Sequence, residues 1–455
     1  MGITAVDGFG GNLLESGDDG YDGARSIFNA MIDRRPALIA QCESAADVRA
    51  ALAHASANGL EVAIRGGGHS VAGASAIDGG IVIDMRRMNA VEVDPAAKTA
   101  TVSGGATWSD FDRATQEHGL ATTGGRVSST GVAGLTLGGG SGWLEREWGL
   151  ACDNLIEVEL VTADGRTVTA SENENSELFW ALHGGSGNFG VATRLVFRLH
   201  SLPAATLALL LWPSDAAPEL ARTYRALMEA GAPTQLGGGV AYLTGPPEPF
   251  VPDHLQGERA TGVIGVYAGT EAELREAMAP IYALDPPGGL TAEMPYADIQ
   301  CAIDDPPGFR NYWSASHLAS LSDDVIDLFC SQGEEMIVPS PSQHLLIPWG
   351  AAVAEQATDW PMTHRGATWV THPFGLWDDA GDDERGKAWV RRSVAEMKPH
   401  DIGSVYLNFV ADAAEDQVRA SYGEENYGRL AAVKSEYDPD NVFHRHHAIT
   451  PMAPA

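Results

Sequence analysis

The chain has 455 residues, too many for one hydrophobic core, so two or more domains are expected. Its formal net charge is −32, from 61 acidic and 29 basic residues, a field that repels nucleic acid and anionic membrane surfaces and argues against both as partners. The four cysteines, Cys42, Cys152, Cys301 and Cys330, are scattered without a CxxC, which indicates neither a disulfide framework nor a zinc site. The first residues lack the basic-then-apolar order of a signal peptide, and the longest apolar run, Ala204 to Trp212, is too short to span a bilayer. A soluble cytoplasmic protein is the default expectation.

In chain order, residues 1–35 read as irregular, followed by a short strand Ala37-Leu38-Ile39-Ala40. Ser44 caps a helix that runs through Val48, Leu52 and Ala55 and stops at Gly59. Val62-Ala63-Ile64 is a strand that feeds the hexapeptide Arg65-Gly66-Gly67-Gly68-His69-Ser70. Its glycines let backbone approach a large ligand, and a histidine follows at once. Short β elements at residues 80–84, 91–94 and 99–102 precede a helix from Trp108 to His118. A second glycine-rich region spans residues 123–142 and is too dense in glycine to be read as regular helix or strand. The strand 155–161 and the turn Thr162-Ala163-Asp164-Gly165-Arg166 make a hairpin. Residues 178–182 are helical, 184–190 form a third glycine loop, and 191–199 alternate as a strand. After Leu202-Pro203 helices separate apolar strands in what reads as a separate α/β domain to about residue 400. The tail has a strand at 404–409 and a helix at about 424–437 stopped by Asp438-Pro439.

Three glycine loops between residues 66 and 190 argue for a large ligand carrying phosphate. None is a P-loop. Gly185-Ser186-Gly187-Asn188-Phe189-Gly190 matches GxGxxG by letter but leads into a strand rather than a helix, so a dinucleotide held by another fold is expected.

The hexapeptide, together with Gly149-Leu150-Ala151-Cys152-Asp153-Asn154-Leu155 and the tail from Asn426-Tyr427-Gly428-Arg429-Leu430 to Tyr437-Asp438-Pro439-Asp440-Asn441-Val442-Phe443, resembles the bacterial berberine-bridge-enzyme-like flavoproteins of the vanillyl-alcohol-oxidase superfamily. The resemblance covers about Pro36 to Ile449. It implies an α+β fold: a PCMH-type FAD-binding domain of two α/β subdomains at 1–203 (core about 36–203), a substrate domain at 204–400 with an antiparallel sheet covered by helices, and a C-terminal segment at 401–455 returning to the FAD domain. It implies FAD bound bicovalently, through His69 to the 8α-methyl group and through Cys152 to C6. Gly66, Gly67, Gly68, Gly125, Ser129, Thr130, Gly131 and Gly134 would donate backbone N–H groups to the pyrophosphate. Arg65, Ser70 and Gly140 belong to the same cradle, and Asn154 and Val191 would border the ribityl or adenine end.

Activity is expected to be removal of a hydride from an alcohol, sugar, amine or secondary-metabolite substrate, with reoxidation by O2 or another acceptor. Alternatives are an oxidative ring-closing tailoring enzyme and a non-catalytic flavin- or ligand-binding protein. Many members of the family use the last tyrosine of a Y-x-N-Y strand as base, whereas this chain has Tyr406-Leu407-Asn408-Phe409. Tyr406, Asn408, His372 and Tyr312 are the substitutes considered, with Trp313 a pocket-lining residue. Phe443-His444-Arg445-His446-His447-Ala448-Ile449 replaces a family tail ending in asparagine, and no metal is expected from its histidines. Leu155, three residues after the cysteine, bears on the choice of electron acceptor by analogy with plant members. The oligomeric state is not legible.

Overall fold

The structure, a computed structural model, describes residues 5–355 and 359–453. Three large sheets organise it, beside a two-stranded pairing of Leu120–Ala121 with His200–Ser201. The first is four-stranded, in the order Asn12–Leu14, Leu38–Gln41, Ile81–Asp84, Val62–Arg65. Its last three strands are parallel and nearly continuously apolar, as strands covered on both faces must be. The helix Ala45–Asn58 crosses between two of them. Ser44 Oγ accepts the Asp47 N–H at its start, and Gly59 closes its end in the left-handed region. The second sheet is five-stranded and antiparallel: Val91–Asp94, Thr99–Ser103, Val191–Arg198, Leu155–Val161, Thr167–Ser171.

The third sheet has eight strands between residues 206 and 377, and every pairing in it is antiparallel. Side chains alternate across it. On Gln343–Pro348 and Trp369–Trp377, the residues Gln343, Leu345, Ile347, His372 and Phe374 share the face that looks onto the glycine loops. His344 points the other way, against Phe329 and Trp389 beneath the helices. The sheet comes close to the second glycine region at Gly237, where a Cβ would lie 1.9 Å from the carbonyl oxygen of Trp143.

Several local expectations are corrected. The N-terminal region is not wholly irregular: Asn12–Leu14 adds a strand to the first sheet and Tyr21–Arg25 is a helix. The second glycine region contains the helix Val132–Leu137, because Val132, Ala133 and Leu137 are buried and packing outweighs the cost of Gly134. Residues 404–409 are not a strand. Leu407–Phe409 is a 3-10 turn, since the Tyr406 and Asn408 side chains bind backbone of the second glycine region instead of following a sheet ladder. The tail helix starts earlier, Glu415–Tyr437, and kinks at Gly423.

The tail is stapled to the third glycine loop. Lys434 is fully buried, and its Nζ donates to Asp438 Oδ2 at 2.5 Å, to Asn188 O at 2.7 Å and to Phe443 O at 2.8 Å. Asn188 Oδ1 accepts from Ile449 N, and Tyr422 Oη donates to Gly184 O. Removing one partner of a buried ion pair strands the other. Lys434→Met is therefore expected to destabilise the protein by about 3–5 kcal/mol, read as a lower urea midpoint, and an unchanged midpoint would contradict the staple.

Candidate functional site

The first two glycine loops interlock. A Cβ on Gly67 would lie 2.2 Å from Gly131 N, and one on Gly131 would lie 2.3 Å from Gly67 N, so both positions require glycine for backbone contact. Trp108 N donates to Thr130 O, Ser109 N to Ser128 O and Val132 N to Ala106 O, which pins residues 128–132 to the first turn of Trp108–Gln116. Arg65 is buried and donates to the carbonyls of Ala24 and Ser26. That holds the N-terminal segment so that Phe28 stacks on His69, ring centroids 4.2 Å apart. The His69 Nε2 faces Ser129 Oγ at 2.9 Å. Burial, with the charge of Arg65, pushes the His69 pKa down to about 4 and keeps the ring neutral.

Between these loops and the eight-stranded sheet lies a cavity of about 530 Å³. Gly66, Gly67, Gly68, His69, Ser70, Thr130, Gly131, Gly134, Tyr406, Asn408 and His372 line it, as the sequence anticipates. So do Gly187 and Gly190 of the third loop and Phe443, Arg445 and His446 of the tail.

On the substrate-domain side, Trp313, Phe374 and Gln343 form one lateral row across three strands. Trp313 and Phe374 stack at 4.4 Å. Gln343 Nε2 donates to Asp305 Oδ1 at 2.9 Å. Burial and the neighbouring charge of Asp304 push the Asp305 pKa up to about 7. His372 Nδ1 lies 2.7 Å from Ser314 O, an acceptor, so it carries the proton and Nε2 is left as the unprotonated nitrogen. The ring stacks on Phe409 at 4.3 Å and 12°. The residue at the family's tyrosine position thus packs against a histidine. Tyr406 is fully buried, and its oxygen receives N–H groups from Gly140 at 2.8 Å, Ser141 at 3.1 Å and Asn408 at 2.8 Å. Those donors occupy its lone pairs, so it orders the loop and has none left for a substrate proton.

Eight anticipated residues lie off the cavity wall, Ser129 among them, at 2.9 Å from His69 Nε2. Arg65 is the strut described above. Gly125 O accepts from Gln300, Gly140 is held by Tyr406, and Val191 is buried at the start of a strand. Asn154 Nδ2 caps the carbonyls of Trp148 and Leu150. Tyr312 Oη donates to Asp412 at 3.0 Å under Arg391. Cys152 is fully buried behind residues 139–141, with its N–H on Gly139 O. Its Sγ accepts from Arg365 at 3.4 Å, and Arg365 pairs with buried Asp153 at 2.7 Å. Burial pushes the Cys152 thiol pKa up. Leu155 is a core residue and does not reach the cavity. Phe28, Asp305, Gln343 and Phe374 were not anticipated. The period-2 pattern of 343, 345 and 347 marks one face of a strand, but nothing local says which face meets the ligand.

Two family models match the chain. A family model described as FAD binding domain matches residues 36–171, and one described as berberine and berberine like matches residues 405–450. The chain is 30% identical over 453 residues to the (R)-6-hydroxynicotine oxidase of Paenarthrobacter nicotinovorans, with 97% of each chain covered. It belongs to the berberine-bridge-enzyme-like family of FAD-linked oxidoreductases. It is 32% identical to the FAD-linked oxidoreductase pgmH of Aspergillus terreus, over 96% of this chain and 92% of that one. The crystal structure of 6-hydroxy-D-nicotine oxidase from Arthrobacter nicotinovorans superposes with a TM-score of 0.85 at 27% identity, covering 98% of both chains. The xylooligosaccharide oxidase of Myceliophthora thermophila shares the fold, with a TM-score of 0.82 at 23% identity over 98% of both chains.

This family member is an FAD-dependent oxidoreductase, which sets aside the non-catalytic reading. The site fits FAD. A Cβ on Gly134 or Gly187 would meet nothing within 4 Å, so these glycines are not demanded by the protein's own packing and leave room in the cavity. Among the described residues no helix is long and apolar enough to cross a membrane.

Four buried histidines are held neutral by the fold, one of them, His372, on the cavity wall. His183, His317, His344 and His372 are at most 3% exposed, and burial lowers their pKa values to about 4, 3, 3 and 3. In the unfolded chain each titrates near 6.5, so below about pH 6.5 the unfolded state binds more protons and folding stability falls with pH. Asp112 and Asp305, shifted upward, offset only part of this. The urea midpoint is expected to drop between pH 7 and pH 5, and a flat midpoint across that interval would refute the assignment.

Proposed function

We propose that the enzyme oxidises a C–OH or C–NH centre of a small organic molecule, with His372 accepting the heteroatom proton and with FAD attached through His69 alone. When bound, FAD supplies the hydride acceptor. The observation that carries the proposal is the setting of His372: Nδ1–H is committed to Ser314 O, the ring is clamped on Phe409, and Nε2 is left toward the cavity. Burial pushes the pKa of this imidazole down to about 3, so it rests neutral with its lone pair present.

Alcohols, sugars, amines and secondary-metabolite intermediates all offer such a centre. Asp305 favours an amine among them. Its carboxylate is positioned by Gln343 at the edge of the Trp313–Phe374 wall, an arrangement that holds a cation by charge and by aromatic faces. A relative named for oxidation of a hydroxynicotine points the same way. Electrons then pass to O2 or to another acceptor.

Anaerobic mixing with a panel of cyclic amines, alcohols and sugars, followed at the flavin absorbance, tests the reading. His372→Gln keeps the hydrogen-bonding shape without the base and is expected to slow flavin reduction by roughly 10²–10⁴-fold, with substrate affinity changed far less. Reduction at the wild-type rate would remove His372 from the mechanism. Acid precipitation is expected to leave the yellow colour on the wild type and on Cys152→Ser and to release it from His69→Ala. Flavin that stays on His69→Ala after acid precipitation would restore Cys152 as a second attachment point.

A further inference from the structure

We infer that Ser129 is the positioning residue for covalent flavin attachment: its hydroxyl accepts Nε2–H of His69 and thereby leaves the Nδ1 lone pair as the attacking nucleophile. The inference rests on the His69 attachment proposed above and adds the residue that prepares it.

Three features converge on this pair. The contact itself is 2.9 Å, and Nδ1 has no hydrogen-bond partner among the described residues. Ser129 cannot drift from it. Its neighbours are tied on both sides, Ser128 N and Oγ to the Asp304 carboxylate and Thr130 O to Trp108 N, while the Gly67–Gly131 contact fixes the two loops against each other. The imidazole cannot rotate away either, because Phe28 lies flat on it, 23° from parallel. A neutral imidazole has one N–H and one lone pair, and the hydrogen bond made by one nitrogen decides which nitrogen is the nucleophile. The low pKa of His69 agrees with a ring that is neutral before attachment.

The step balances as follows. The 8α-methyl group loses a proton to solvent, Nδ1 forms the N–C8α bond, and Nε2 gives up its proton through the Ser129 hydroxyl, which is exposed to water. The electron pair of the broken C–H bond stays on the flavin. Dioxygen removes it and takes up two protons to give hydrogen peroxide.

The test uses apoprotein expressed under flavin limitation and then mixed with FAD in air. Total flavin is read by absorbance, and covalent flavin by in-gel fluorescence and peptide mass. Ser129→Ala is expected to bind FAD with wild-type stoichiometry yet to form the covalent bond about 10- to 100-fold more slowly, the cost usual for losing the partner that fixes a histidine tautomer. Ser129→Thr, which keeps the hydroxyl, is expected to restore the rate. Covalent incorporation into Ser129→Ala at the wild-type rate overturns the inference while leaving the His69 attachment standing. Equal loss of bound and covalent flavin, or no rescue by Thr, also overturns it, since Ser129 would then serve only to build the loop. A wild type that releases all its flavin on denaturation overturns the attachment itself and the inference with it.

Discussion

The backbone contact between Gly67 and Gly131 is the constraint on which the site depends. Two loops separated by more than sixty residues of sequence meet with no side chain between them, and the absence of Cβ atoms is what permits it. Everything near His69 follows from that closeness. Ser129 comes within reach of His69, residues 66–68, 130, 131, 133 and 134 line one cavity, and residues beyond Gly131 turn into the short helix that forms part of its wall. A methyl group at either position would wedge the loops apart by more than the chain can absorb locally.

Two further restraints make the cradle rigid. The tail crosses beneath the third glycine loop and is held there by Lys434, whose ammonium is shared among one carboxylate and two carbonyls in a fully buried position. Tyr406, also from the tail, supplies a phenol oxygen on which the N–H groups of Gly140 and Ser141 converge. Each is a long-range polar contact in a dry setting, where an unpaired partner would be costly. The cofactor end is thus built from backbone and held by tail side chains.

The opposite wall is built differently. It is one face of an antiparallel sheet, where alternation sets which residues look inward and cross-strand register sets their neighbours. Gln343, Phe374 and Trp313 fall in one row, and His372 and Leu345 in the next. On the proposed reading this separates the two tasks of the enzyme: glycine loops would hold FAD, and side chains on a sheet would meet the substrate and take its proton. A substitution on the sheet face alters that chemistry without disturbing the cradle.

The sequence by itself determined the local elements and the cofactor. The Ser44 cap and Gly59 stop, the strand leading into Arg65, the hairpin at Thr162–Arg166 and the glycine loops with His69 all rest on contacts within a few residues or on chain-wide motifs. Only the tertiary structure decided which residues reach the cavity. Cys152 sits in a matching motif, yet its sulfur is drawn to Arg365, 213 positions away, and is shut behind the second glycine region. Tyr312 is taken by Asp412, and Tyr406 by backbone 265 and 266 positions earlier. His372 acquires its free nitrogen from Ser314 O and its rigidity from Phe409. Asp305 lies in a polar turn with no pattern of its own until Gln343 meets it. The physical reason is common to all of them. Helix caps, turns and glycine conformations are settled by neighbours in sequence, whereas burial, tautomer and the direction a side chain faces are settled by whatever the fold brings against it from afar.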